Sequence, residues 1–389
     1  NQKYEVKVVG LCPDMDIAIL KTVSYKPKSI LKLGHSNKVN VGDQVSAVGF
    51  PMGLDNLKIT SGVLSGRQSG KLQIDVPISG GNSGGPLVYK NKVIGLCASS
   101  LVGLKAQNIN FAVPIELYYI IKDQLLKNTY VRSSYLGIIY NYSTCDLLSL
   151  VTNTNGKYKS GVFIIECFEN SPMYNAGVRK NTILTTINGM NIDNKGQLLD
   201  KKINQILTLS EYQDYIKIGT SVNIEYIKDL KKHSKVFKYI PFYYTIRQKF
   251  PLYERVDFEI IEGLVFMDLC LNHLNIYPTI SLRFQKYSNR MKNKVIISGI
   301  LPGSYFSINN LIQGGMLIKN INDIEVNTID ELRKVFKKPI ISNGNKYIKI
   351  ETEVGVITAM NLKNLKKNTE NFKNVYKFKN INNTINNIV

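Results

Sequence analysis

The run Gly80-Gly81-Asn82-Ser83-Gly84-Gly85-Pro86-Leu87 sets a serine among glycines, between two apolar stretches that read as strands, 72–76 and 87–89. A serine on so tight a turn exposes its hydroxyl, and along Gly81-Asn82-Ser83 the N–H groups of Gly81 and Ser83 can converge on an oxyanion. Acyl transfer needs that combination. A strand on each side argues against the strand-to-helix nucleophile elbow of α/β-hydrolases.

A hydroxyl nucleophile needs a base, and the base needs an orienting carboxylate. Asp16 stands immediately before the strand-like Ile17-Ala18-Ile19-Leu20, with Asp14 as a local competitor. Spacing does not separate the two, and a turn cap accounts for either. The chain has three histidines, His35, His233 and His273, and none precedes Asp16.

The elements that must position these groups have a β rhythm. Short runs of Val, Ile and Leu at 4–9, 17–20, 44–50, 72–78, 86–89, 93–98 and 109–113 are punctuated by Gly, Pro, Asn and Asp. The series closes at Pro114, after which apolar residues recur at helical spacing to Leu126. From Ser134 strands mix with short helices, and two segments resemble each other. Gly161–Ile165, Ser171-Pro172, Ile183-Leu184 and Ile187-Asn188-Gly189 are echoed by Lys294–Ser298, Pro302-Gly303-Ser304, Met316–Ile318 and Ile321-Asn322-Asp323, the pattern of an internal repeat. Beyond Lys366 the chain is rich in Asn and Lys and is expected to fray.

In unbroken order, Asp16–Lys21, Leu33-Gly34-His35-Ser36, Val41–Leu54, Thr60–Ser65, Gln73-Ile74-Asp75 and Gly81–Pro86 resemble the protease domain of the Deg/HtrA serine proteases. Asn108–Pro114 and Tyr135-Leu136-Gly137-Ile138 continue the resemblance into a PDZ module, and Glu262–Phe266 is similar to the plant-type Deg subgroup. The resemblance implies a mainly β, multi-domain chain. A trypsin-like double β-barrel lacking its start (1–128) would be followed by two PDZ-like α+β modules (129–245 and 246–366) and a polar tail (367–389).

Carried over by position, Ser83 is the nucleophile, Asp16 the triad carboxylate, and Gly81, Asn82 and Ser83 form the oxyanion hole. Ile78 lies on one wall of the S1 pocket and Cys97 and Ala98 on the other. No acid stands there, so the resemblance implies a small aliphatic P1 residue. Tyr135, Leu136, Gly137 and Ile138 are the expected peptide carboxylate-binding loop. The implied partners are unfolded proteins, peptide C-termini and copies of the chain in trimers, and no cofactor is implied. Two departures stand out. His35 falls on a turn where the family has aspartate, so no histidine fills the base position. The link Ser65–Lys71 is short where the family carries a longer loop that senses the PDZ module. The implied activity is serine endopeptidase action in protein quality control, by this chain once a histidine is supplied; the alternative is a pseudoprotease acting as scaffold or chaperone.

Composition bounds the partners. The net charge of +21 comes from 50 Lys+Arg against 29 Asp+Glu, but the lysines are scattered with no basic stripe interleaved with aromatics. Together with a load of Asn, Ile and Tyr, they match an AT-rich coding sequence, and nucleic acid is not an expected partner. No apolar run approaches the roughly 20 residues of a membrane span, and no signal-peptide pattern opens the chain. Five cysteines without a C-x-x-C make a metal site unexpected. They read as small buried thiols of a reducing compartment, which places the chain inside the cell in preference to outside it.

Overall fold

The alternating runs fold as strands wherever a turn follows within a few residues. The computed structural model describes residues 3–53, 55–100, 109–153, 160–203 and 205–377. They form two compact units, Asn1–Tyr243 and Tyr244–Val389.

In the first unit, Lys92–Ser100, Pro86–Tyr89, Gln44–Gly49, Lys58–Gln68, Lys71–Ile74 and Asn110–Pro114 pair in that order. The last strand pairs back onto Lys92–Ser100 and closes a barrel, with Lys32–Leu33 parallel on its outside. Val45, Ala47, Leu64, Leu72, Ile74, Leu87, Ile94 and Ala112 fill the interior. The expected double barrel is not what the described residues build. Val6–Cys12 and Ile17–Thr22 form a separate two-stranded sheet, and two such strands cannot close on themselves. The helix Ile115–Leu125 follows Pro114, as its apolar spacing predicts, and buries Leu117, Ile121 and Leu125 against Cys12, Met15 and Ile17.

The same unit holds a second sheet, ordered Ile138–Asn141, Val162–Cys167, Ile183–Ile187, Ser221–Lys228, Lys231–Lys238, over its own core of Val162, Ile164, Met173, Leu184 and Ile224. Among the described residues Ile138–Asn141 pairs on one side only and is an edge. The second unit has a three-stranded sheet, Phe258–Ile261, Leu264–Asp268, Val295–Ile300, and a five-stranded one centred on Asn345–Thr352.

The internal repeat is visible at atomic level. Gly137 (φ +78°) lies on Ser171, and Gly263 (φ +82°) lies on Ser304; each serine caps a short helix by accepting an amide from three residues on. A Cβ on either glycine would come within 2.0 and 2.4 Å of the serine Cβ. The carbonyls of Gly137 and Gly263 accept the amides of Phe168 and Leu301, three residues before each serine.

The expected fraying tail is instead a helix, Leu362–Tyr376. Leu362 and Leu365 reach the core of the second unit, which repays the order of a segment otherwise rich in Asn and Lys. Residues 378–389 of the predicted tail lie outside the described residues. Among the described residues no helix is long and apolar enough to cross a membrane, and no group of three His, Cys, Asp or Glu could hold a metal ion.

Candidate active site

Ser83 sits on the turn between Lys71–Ile74 and Pro86–Tyr89, its side chain exposed and its hydroxyl donating to the carbonyl of Ala98 at 3.2 Å. The turn is pinned from two sides. On the Lys92–Ser100 side, Gly84 N–H donates to Cys97 O (2.7 Å) and Cys97 N–H to Gly85 O (2.9 Å). On the other side, Met52 N–H donates to Gly80 O (2.5 Å) and Phe50 N–H to Gly81 O (3.3 Å).

The first of these bonds sets the direction of the Gly81 amide. In a trans peptide the C=O and N–H point oppositely. A Gly80 carbonyl held by Met52 therefore turns the Gly81 N–H away from the 50–53 segment. Gly81 has φ +102°, and a Cβ there would meet Phe50 O at 2.0 Å, so the clamp can close only on glycine. The N–H groups of Gly81 and Ser83 have no hydrogen-bond partner among the described residues, as an oxyanion hole requires. Asn82 departs from the expectation. Its amide donates to Ser79 O (3.0 Å) and its side chain is buried, so it anchors the turn instead of donating to a substrate. The Phe50–Met52 clamp was not foreseen, because its contribution is backbone.

Asp16 ends the 3₁₀ turn Pro13–Met15 in the left-handed region (φ 56°, ψ 44°), its own amide donating to Pro13 O and its side chain exposed. Its neighbours Met15 and Ile17 share an apolar cluster with Leu96 and Ala98 of the strand that receives the Ser83 hydroxyl. Asp14 is committed elsewhere. Its carboxylate takes Arg132 Nε at 2.6 Å and Nη2 at 2.9 Å, and the Ser133 amide at 2.9 Å. Of the two acids, Asp16 is the one left uncommitted to an ion pair among the described residues.

No imidazole stands between Asp16 and Ser83. His35 is half-exposed, with Nδ1 3.7 Å from Glu116, which itself accepts the Ser36 amide at 2.8 Å. His233 stacks on Tyr226. His273, in the second unit, places Nδ1 3.2 Å from Cys270 Sγ and Nε2 3.2 Å from Ser298 Oγ; burial pushes its pKa down.

The expected S1 walls divide. Ile78 packs on the rim of the barrel core and Ala98 lies half-buried beside the serine. Cys97 is 1% exposed and its side chain points into the barrel, where burial pushes the thiol up to about 11. Cys97 packs in the barrel core and Ala98 against the separate cluster of Met15 and Ile17, so the two side chains do not share a wall.

In the loop 135–138, Tyr135 N–H donates to Phe242 O and Leu136 N–H to Gln213 Oε1 at 3.1 Å. Leu136 is buried in the module core, and Ile138 starts the edge strand. Gly137 N–H is the loop amide without a partner among the described residues. The short link of the barrel still reaches this module, with Tyr215 Oη donating to Gly70 O at 3.3 Å.

Comparison with known proteins gives a family match over part of the chain. Residues 1–96 match the trypsin-like peptidase domain. The "Probable periplasmic serine endoprotease DegP-like" of Pseudomonas putida is 33% identical over 203 residues, covering 49% of this chain and 41% of the relative. Its namesake in Rickettsia prowazekii is 31% identical over 242 residues, 58% of this chain and 46% of the relative. The "Serine protease Do-like HtrB" of Bacillus subtilis is 28% identical over 247 residues, 57% and 50%. The chain spans half or less of the length of these relatives. Among solved structures, the HtrA-type protease AlgW with decapeptide has a TM-score of 0.47 at 22% identity, covering 62% of this chain and 73% of that one.

These findings correct the intracellular expectation. Relatives are named periplasmic, which points outside the cytoplasm. The argument from cysteines fails for a physical reason: Cys12, Cys97 and Cys270 are buried, and thiols sealed in cores stay unpaired in any compartment, while Cys145 is exposed and Cys167 half-buried, contrary to the expectation of buried thiols.

Proposed function

We propose that this chain carries the nucleophile and oxyanion hole of a serine endopeptidase of the Deg/HtrA kind, acting outside the cytoplasm on unfolded or damaged protein. The carrying observation is the Ser83 turn, where an exposed hydroxyl and two unpartnered amides are held by backbone clamps on both sides. In the proposed reaction Ser83 Oγ attacks the scissile carbonyl, its proton passes to an imidazole oriented by Asp16, and the amides of Gly81 and Ser83 hold the oxyanion. Ile78 and Ala98 border a pocket without an acid, which suits small aliphatic P1 residues. The two later modules are read as PDZ-type domains of a plant-type Deg arrangement, with Tyr135–Ile138 taking a peptide C-terminus, in an assembly of trimers.

A second reading rests on the histidines. All three are engaged away from Ser83, so the 389 residues alone provide no general base, and a chain that stays so is a pseudoprotease that binds unfolded chains without cutting them.

The experiment is digestion of unfolded casein by the full-length gene product and by its Ser83→Ala variant. Cleavage lost in the variant supports the protease, and binding without cleavage in both supports the scaffold. Cleavage that survives Ser83→Ala would overturn the assignment of the nucleophile.

A further inference from the structure

The equivalent amide in the two repeated modules is capped by a side-chain oxygen from its own module. In the first, Leu136 N–H donates to Gln213 Oε1 (3.1 Å), from the single 3₁₀ turn Gln213–Tyr215. In the second, Glu262 N–H donates to Thr369 Oγ1 (3.0 Å), from the helix Leu362–Tyr376. The pairing of Gly137 with Ser171 and of Gly263 with Ser304 fixes the correspondence.

The two caps differ in how firmly they are held. Gln213 is half-buried on a short turn, its carboxamide the polar end of a flexible side chain. Thr369 is buried and Asn368 beside it donates to the Glu262 carboxylate, whereas a ring lies over the glycine in both modules, Phe242 on Gly137 and Phe372 on Gly263. The strands beyond the loops differ too. Ile138–Asn141 has a free edge, whereas Leu264–Asp268 is paired on both sides. A peptide adding as a strand needs such an edge.

We infer that Gln213 is a built-in competitor for the peptide carboxylate at Leu136, displaced when an apolar C-terminus binds, and that the loop at Glu262–Gly263 is permanently closed by the C-terminal helix. This rests on the reading of Tyr135–Ile138 as a carboxylate-binding loop. Gln213 Oε1 occupies one of the amides a carboxylate would use, and Gly137 N–H stands ready for the other oxygen. Binding then exchanges a neutral acceptor for an ionised one, which makes the stronger hydrogen bond.

The test is a titration of the whole chain with a short dansylated peptide ending in leucine, as free acid and as amide. The proteins are wild type, Gln213→Met, which keeps the bulk and loses the acceptor, Gln213→Glu, which adds a competing charge, and Thr369→Val. Loss of one competing hydrogen bond should tighten Gln213→Met for the acid about fivefold. Gln213→Glu should weaken it by at least about as much. Thr369→Val should match wild type, with one peptide bound per chain. An acid preference that neither Gln213 variant changes would overturn the competitor while leaving the loop reading intact. Equal affinity for acid and amide in every protein would overturn the loop reading, and the inference with it. Two peptides per wild-type chain would overturn the closed second loop.

Discussion

Asp214 offers a stability test of the junction between the barrel and the module that follows it. The residue lies on the turn Gln213–Tyr215, where desolvation first, and then the carboxylates of Asp14 and Glu211, push its pKa up to about 7 from an ordinary 3.8; Ser133 works the other way, too weakly to win. Folding therefore favours the protonated acid. Stability from this group is fully present below the unfolded value near 4 and is lost as pH rises through 7. A difference of about three units at about 1.36 kcal/mol each sets a ceiling of about 4 kcal/mol. Because the residue keeps some contact with solvent, on the order of 2–3 kcal/mol is the realistic share. Asp214→Asn copies the neutral form and should remove that share of the pH dependence. With no Trp and 23 Tyr in the chain, urea unfolding followed by tyrosine fluorescence at pH 5 and pH 8 is the assay. About two thirds of that loss falls between pH 5 and pH 8, so wild type should lose roughly 1.5–2 kcal/mol more than Asp214→Asn between the two pH values, and the variant should be the more stable protein at pH 8. The same pH dependence in both would refute the reasoning, because the proton would then reside elsewhere.

Three further outcomes follow from the same geometry. Arg132→Ala leaves the Asp14 carboxylate with only the Ser133 amide and should cost about 3 kcal/mol in urea unfolding, with Arg132→Lys recovering part of it, because the bidentate contact becomes a single one. Gly81→Ala, with its Cβ driven against Phe50 O, should lower casein turnover by the full-length protein about 10²–10³-fold while leaving casein binding unchanged, as loss of an oxyanion donor does. Asp16→Asn should reduce turnover by roughly 10⁴-fold, and near-normal rates would move the orienting role to another acid.

The serine turn was legible because it is local. Gly81, Ser83 and Gly85 carry their conformation in their own residue types, and the flanking apolar runs became the strands Lys71–Ile74 and Pro86–Tyr89. The strand Lys58–Gln68 was missing from the list of apolar runs because Gly62 and Gly66 interrupt its pattern; its pairing with Gln44–Gly49 supplies what its sequence lacks. Cys97 was misplaced for a related reason. Position along a strand is legible in the sequence but the face is not, and here the register is irregular between Cys97 and Ser99, with Cys97 in the barrel core and Ala98 against Met15 and Ile17. That Asp14 is engaged by Arg132, more than a hundred residues away, is beyond the reach of any spacing rule; only the resemblance separated it from Asp16 in the sequence.

The two modules carry the limit of local reading furthest. Tyr135-Leu136-Gly137-Ile138 and Ile261-Glu262-Gly263-Leu264 each set a left-handed glycine on a serine-capped helix, so their local sequences predict equivalent loops. They become different objects through distant partners. The helix Leu362–Tyr376 buries Leu362 and Leu365 in the core and thereby delivers Asn368 and Thr369 to Glu262. Phe258–Ile261 pairs along the strand that would have been the open edge. The second loop is held by that strand pairing and by the packed helix, whereas the cap on the Leu136 amide of the first is one glutamine side chain, with Phe242 against Gly137. The repeat keeps a backbone shape, and the segments packed around each copy decide how its amides are capped and whether its strand is paired on both sides.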